Sequence, residues 1–229
     1  NPFANRGGVR RRISPLTITV IALFVLSTVL ISSSGFYADF LWYRSVDYVD
    51  VWQTTLFTKI YLFFGFGLIT AATISANIYI AFRRRPIYVP VSVEADNLER
   101  YRAQLEPIRR LAGIGVFLVI FYFAGSSGSR FWEQWLLFRN STEFGKVDPQ
   151  FGLDISFFAF KLPMYQALIG WAISTLVFAI IGSAIVHYLY GGIRPQVAQE
   201  RTTVAARVQL SVLLGLVVLL KAGAYWLDR

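Results

Sequence analysis

The sequence predicts an all-α fold, a polytopic transmembrane helix bundle with five spans, and three observations predict it. Apolar and aromatic residues make up 55% of the 229 residues and charged residues only 15%, against about 25% charged in an ordinary soluble domain. The apolar residues gather into long, nearly charge-free blocks separated by short charged stretches, a distribution that no water-soluble core requires. The basic residues sit mostly in alternate connections, as they do where positive charge resists translocation.

The first block, Ile13 to Ala38, carries no charge and follows Arg10, Arg11 and Arg12. It is longer than the apolar region of a cleaved signal peptide, so it is expected to persist as an anchoring span over about 14–35. Ile60 to Phe82 is uncharged and gives the second span, about 56–82. Leu111 to Ser129 gives the third, about 109–128; it contains Gly113, Gly115 and Gly125, and its closing Gly125-Ser126-Ser127-Gly128 is expected to unwind early against protein neighbours. Leu162 to Ile193 has only His187 as an ionisable group and gives the fourth span, about 163–190. Val208 to Leu227 is broken once, by Lys221, and gives the fifth, about 207–227. A helix needs about 20 residues to cross the ~30 Å hydrocarbon layer, and every block supplies them.

Orientation follows from charge. Arg6, Arg10, Arg11 and Arg12 precede the first span; Arg83, Arg84, Arg85, Arg100, Arg102, Arg109 and Arg110 lie around the second connection; Arg194, Arg201 and Arg207 lie around the fourth. With Glu94, Asp96, Glu99, Glu106 and Glu200 as the acids on that side, it holds the whole formal charge of +9. The amino terminus and the connections 83–108 and 191–206 are therefore expected in the cytoplasm, and the connections 36–53 and 129–162 and the carboxyl end outside. The charge borders helix ends, which points to membrane lipids and anionic headgroups on the cytoplasmic face as partners. No nucleic-acid recognition motif accompanies it. Trp42, Trp52, Trp132, Trp135, Trp171 and Trp226 all map to the outer side and read as interfacial anchors.

The connections have character of their own. Gly35 to Gln53 is dense in aromatics, with Asp39, Arg44, Asp47 and Asp50 on one side of a helical projection. An element lying on the outer surface and an aromatic loop packed on helix ends both fit it. The second connection carries a short amphipathic helix capped near Ser92, with Leu98, Tyr101, Leu105 and Ile108 on one stripe. It is expected to lie on the membrane surface, with partner docking as the sharper alternative. In 129–162, Trp132, Trp135 and Arg139 share a helical face and can form a cation–π contact. Downstream, Asp148, Pro149, Phe151, Gly152 and Asp154 form a candidate structural motif: Asp148 can cap with Pro149 in a first turn, and Asp154 can cap Ile155 to Phe160. Asp148, Asp154 and Glu143 also offer oxygen ligands to a hard cation, but their spacing matches no calcium loop and caps account for both aspartates.

Gly67, Ala71 and Ser75 recur at four-residue spacing, as do Gly170 with Ser174 and Ala179 with Ser183. Such residues allow close helix packing where no hydrophobic effect drives association. Lys221 and Asn77 form the candidate intramembrane polar site. Lys221 is expected to snorkel outward or to pair with an acid such as Asp39, Glu133 or Asp154, with an ion or substrate pathway as the alternative. His187 beside Tyr188 and Tyr190 reads as an interfacial anchor ahead of a proton relay. Cysteine is absent, which removes disulfides and thiolate chemistry. Phosphate loops, zinc-protease motifs and dinucleotide fingerprints are absent too, so neither an enzyme nor a cofactor is expected.

The run DPQFGLDISFFAFKLP (Asp148 to Pro163), WEQWLLFRN (Trp132 to Asn140), HYLYGG (His187 to Gly192) and LLKAGAYWLDR (Leu219 to Arg229) resemble the bacterial multi-pass membrane proteins of uncharacterised protein family 0182. The resemblance covers nearly the whole chain. It implies a multi-pass protein of the cell membrane, common in actinobacteria, with a seven-span membrane region and a large extracytoplasmic domain, of which this chain would be the amino-terminal portion. It implies no catalytic residues. The function expected is a non-catalytic anchor or scaffold for that domain or for a larger envelope complex with other membrane subunits; a transporter or lipid-handling protein is the alternative.

Overall fold

The structure is a computed structural model and describes residues 14–86, 107–195 and 201–228. It has five helical runs long and apolar enough to cross a membrane: Pro15–Ser45, Val49–Arg83, Arg110–Arg139, Phe157–Leu189 and Val204–Leu227. Among the described residues, two isolated antiparallel bridges, Val147 with Asp154 and Ile193 with Thr202, interrupt the helical pattern. The expected surface helix at Ser92 to Leu105 and the amino-terminal arginines lie outside the described residues. Two compact units result, residues 1–55 and 56–229.

In the first unit, helix α1 (Pro15–Ser45) starts with proline in its first turn, where the missing N–H is no loss. It runs through Gly35, ten residues past the expected end of the span. The cause is that Gly35 has nothing within 4 Å of where a Cβ would sit, so it costs only propensity there. The chain reverses at Asp47, whose φ is +65°. Tyr48 N–H donates to Tyr43 O at 2.9 Å and Asp47 N–H to Arg44 O at 3.3 Å, a Schellman closure with an aspartate in the left-handed position. Helix α2 (Val49–Arg83) follows at once. The stretch 36–53 is thus two helix ends and a three-residue turn, held by Trp52 against Phe36 and Phe40, each with ring centroids 5.1 Å apart.

The second unit contains the rest of α2, then α3 (Arg109–Gly128), a 3-10 turn (Ser129–Phe131) and α4 (Trp132–Arg139). These last three form one helical run, so the expected unwinding at Gly125 to Gly128 does not occur. Glycine serves close approach instead: a Cβ at Gly125 would stand 2.7 Å from Phe63 O, one at Gly128 would strike the Phe66 side chain, and one at Gly67 would stand 2.8 Å from Phe121 O. Helices α2 and α3 touch through these three glycines and the rings of Phe63, Phe66 and Phe121.

A loop, 140–154, then leads into a helical run that begins at Ile155. Its residues Phe157–Lys161 form a π turn, with Leu162 N–H donating to Phe157 O, before α5 (Leu162–Leu189). Pro163 explains the widening, since it has no N–H and its ring obstructs the carbonyl four residues back. Helix α5 ends in a second Schellman closure: Gly191 has φ +72°, Gly192 N–H donates to His187 O at 2.6 Å and Gly191 N–H to Tyr188 O at 3.2 Å. Helix α6 (Val204–Leu227) is capped by Thr203, whose hydroxyl accepts from Ala206 N–H. Thr203 N–H to Gly192 O (2.8 Å) and Arg194 N–H to Arg201 O (2.6 Å) tie the two helices into a hairpin.

The core of this unit is small: Ile74, Ala179 and Leu213, with Ile78, Ile120, Leu176 and Ile180 around it. Large apolar side chains point outward, among them Leu111 (71% exposed), Phe123 (68%), Leu219 (69%) and Trp226 (70%). A water-soluble monomer rarely shows apolar surface on that scale; a lipid-facing bundle does.

Candidate functional site

Polar side chains on α2, α5 and α6 meet inside the bundle. On α5, Trp171, Thr175, Ala179, Ser183 and His187 fall at four-residue intervals and share one face. Ser183 is 0% and His187 1% exposed. Toward the end bearing the tryptophans, Trp171 Nε1 donates to Thr70 Oγ1 at 2.9 Å, and Thr70 and Thr175 hydroxyls lie 3.4 Å apart. The apolar layer of Ile74, Ala179 and Leu213 comes next.

Beyond it lies a four-residue cluster. Gln209 Nε2 donates to Asn77 O at 2.9 Å and to Ser183 Oγ at 3.2 Å, with Asn77 Oδ1 at 3.4 Å. Asn77 Nδ2 in turn donates to Thr73 O at 2.9 Å. His187 Nε2 stands 3.0 Å from Gln209 Oε1. Because the Gln209 amide nitrogen is turned toward acceptors, its oxygen accepts, and His187 donates to it from Nε2. Nδ1 is buried without a hydrogen-bond partner, and a Cβ on Gly192 would stand 2.8 Å from it. What the cluster does is cross-link three helices, which in lipid is a main source of helix association.

The sequence pointed to Asn77 and His187 but passed over Gln209, which binds both. No common depth marked it: Gln209 lies two residues past Arg207, whereas Asn77 stands six residues before Arg83 and His187 seven before Arg194. Lys221 does not join them. It is exposed, its Nζ lies 4.9 Å from the centroid of the Tyr225 ring on its own helix, and it is twelve residues, about 18 Å, along α6 from Gln209. Of the small residues, Gly67 meets Phe121, Ala71 is fully buried and Ser75 is half-buried. Gly170 and Ser174 face outward and form no seam.

The tryptophans divide by environment. Trp42 (60% exposed) and Trp226 face outward, Trp52 packs on Phe36 and Phe40, and Trp171 lies 4.7 Å from the Phe66 ring. Trp135 packs on Tyr61 at 5.7 Å. Trp132 carries a cation–π contact, but the cation is Lys59 at 5.0 Å and not Arg139; spacing along one helix gave no sight of a partner from α2.

In the loop 140–154 both aspartates act on the backbone. Asp148 Oδ1 accepts from Gln150 and Phe151 N–H, each at 2.9 Å, while Asp148 O accepts from Gly152 N–H at 3.0 Å. Pro149 occupies the first position of that turn, and Gly152, at φ +66°, closes it. Asp154 Oδ1 accepts from Ser156 N–H at 2.8 Å and Phe144 N–H at 3.1 Å. The hydrogen bonds from Ser156, then that from Phe144, hold the Asp154 carboxyl down to about 2. Phe151 packs on Phe158 and Phe144 on Phe160. Among the described residues no group of three or more His, Cys, Asp and Glu is placed to hold a metal ion.

The profile of the family described as Uncharacterised protein family (UPF0182) matches residues 16–229. A UPF0182 protein of Streptomyces coelicolor is 45% identical over 228 residues, covering 100% of this chain and 23% of the relative. One of Nocardioides sp. is 46% identical over 228 residues, covering 100% and 22%, and one of Thermobifida fusca is 39% identical over 229 residues, covering 100% and 22%. The chain thus spans less than a quarter of the length of these curated relatives. No solved structure matches it.

Proposed function

This chain belongs to the uncharacterised protein family UPF0182, and from that premise we propose that it is the sealed membrane anchor of a longer bacterial cell-membrane protein. Its five apolar helices cross the bilayer with the arginine-bearing connections in the cytoplasm and the carboxyl end outside. It is non-catalytic, and it serves as a scaffold for the remainder of the protein or for other membrane and envelope subunits. The observation that carries this proposal is that the polar groups inside the bundle bond to one another across α2, α5 and α6. A pathway for solute or ion presents its polar groups to water; here Ser183 and His187 are buried, Asn77 and Gln209 are half-buried and bonded to their neighbours, and Lys221 stands apart from them.

The chain has no cysteine, which makes the test direct. In the full-length protein, freed of any other cysteine, Ser183→Cys should resist a membrane-impermeant maleimide from both sides of the membrane. Ser141→Cys should label on intact cells, and Thr202→Cys only after permeabilisation. Labelling of Ser183→Cys from water would replace the anchor with a transport pathway, and reversed labelling of the other two would invert the topology.

A further inference from the structure

We infer that Arg194, Arg201 and Arg207, at the described ends of the connection between α5 and α6, form with Arg85 beyond α2 a binding site for a phosphoryl group, the headgroup of an anionic phospholipid being its expected source. The inference rests on the five helices being spans, and not on which side they start from.

Arg85, Arg194, Arg201 and Arg207 come together in sequence and fold at this level, and the side chains of Arg85 and Arg207 rest on groups other than an acid. The Arg85 guanidinium lies 4.2 Å from the Phe82 ring centroid and 5.4 Å from that of Tyr190, two rings that meet edge-on at 5.1 Å. Arg207 Nη2 reaches Thr202 O at 3.5 Å. Arg194 is fixed by its backbone bond to Arg201, and its Nε is buried with no hydrogen-bond partner. The described residues 76–86, 183–195 and 201–212 contain no Asp or Glu, and the connection as a whole has one acid, Glu200, against Arg194, Arg201 and Arg207.

A guanidinium stacked by its flat face keeps its edge of N–H donors for a planar or tetrahedral anion, and arginine is suited to grip phosphate this way. A buried N–H without an acceptor is costly unless a ligand supplies one. The amino terminus of α6, a 24-residue helix, adds partial positive charge at the same turn. All of this sits where three apolar helices end, the level at which headgroup phosphates lie.

The test uses full-length protein in neutral-detergent micelles doped with phosphatidylglycerol or phosphatidylcholine, with lipid retention read by native mass spectrometry and thermal unfolding read in parallel. Wild type should retain phosphatidylglycerol over phosphatidylcholine and be stabilised by it. Arg85→Ala and Arg194→Gln should each weaken that retention about fivefold and lose the stabilisation, while Arg130→Ala at the opposite end changes neither. Inorganic phosphate alone giving the same arginine-dependent stabilisation would support the site with a soluble source. Equal retention of both lipids, or retention indifferent to Arg85 and Arg194 in variants that still unfold cooperatively, would overturn the inference. Failure of the wild type to enter micelles or bilayers would instead strike the reading of the helices as spans.

Discussion

Replacing Gln209 with leucine removes the hub of the cluster while keeping side-chain size. The three shorter bonds it makes, to Asn77 O, Ser183 Oγ and His187 Nε2, are interhelical, and such bonds in membranes average about 0.6 kcal/mol each. Their loss therefore costs about 2 kcal/mol. A further cost follows because His187 is 1% exposed and its Nε2–H would be left without an acceptor, a desolvation penalty of about 1–3 kcal/mol. Gln209→Leu should destabilise the bundle by about 3–5 kcal/mol in total. Thermal or denaturant unfolding of the full-length protein in detergent measures this. A double-mutant cycle with His187→Leu should give a coupling of about 1 kcal/mol, since in the double variant the orphaned donor is gone. If Gln209→Leu matches wild type within about 0.5 kcal/mol, or the coupling vanishes, the cluster does not hold the helices together.

Gly192→Ala would place a Cβ 2.8 Å from His187 Nδ1 and 3.2 Å from its carbonyl oxygen, so it should lower the melting temperature and perturb the His187 ring signal in NMR. Gly128→Ala should do the first but not the second, because its clash is with Phe66. For Asp154, whose carboxyl is depressed from 3.8 to about 2, the stabilising charge is fully present above pH 3.8 and is lost as pH falls through about 2. Asp154→Asn should therefore speed amide exchange at Phe144 and Ser156 near neutral pH, with the difference from wild type shrinking only as the pH approaches 2. Lys221→Leu, on an exposed face, should leave melting unchanged or raised; a clear loss would mean that Lys221 has a partner that its stacking on Tyr225 does not account for.

Five apolar helices were legible because hydrocarbon imposes a length and a composition that no other environment does. Their ends were less so. Hydropathy reads where apolar character stops, whereas the hydrogen-bond ladder of α1 continues through Asp39 and Arg44 to Ser45. Its reversal at Asp47 lacks the glycine or proline that marks most turns. The glycines of α3 carried the opposite error: their composition suggested a break, and only the facing rings of Phe63 and Phe66 reveal that they are contact points. The π turn was hidden because Pro163 looked like a helix start and not an interior residue that the helix widens to admit. Gln209 escaped notice because a neutral amide breaks no charge-free block.

That widened turn at Phe157–Lys161 also sets an angular offset. One surplus residue shifts the azimuth of everything after it by about 100°, so the aspartate-capped loop and the stripe from Trp171 to His187 are out of phase by one position. Excising a single residue there would restore a regular winding but swing one of the two away from its neighbours: either the loop would leave the aromatic rings that seat it, or the stripe would turn toward lipid.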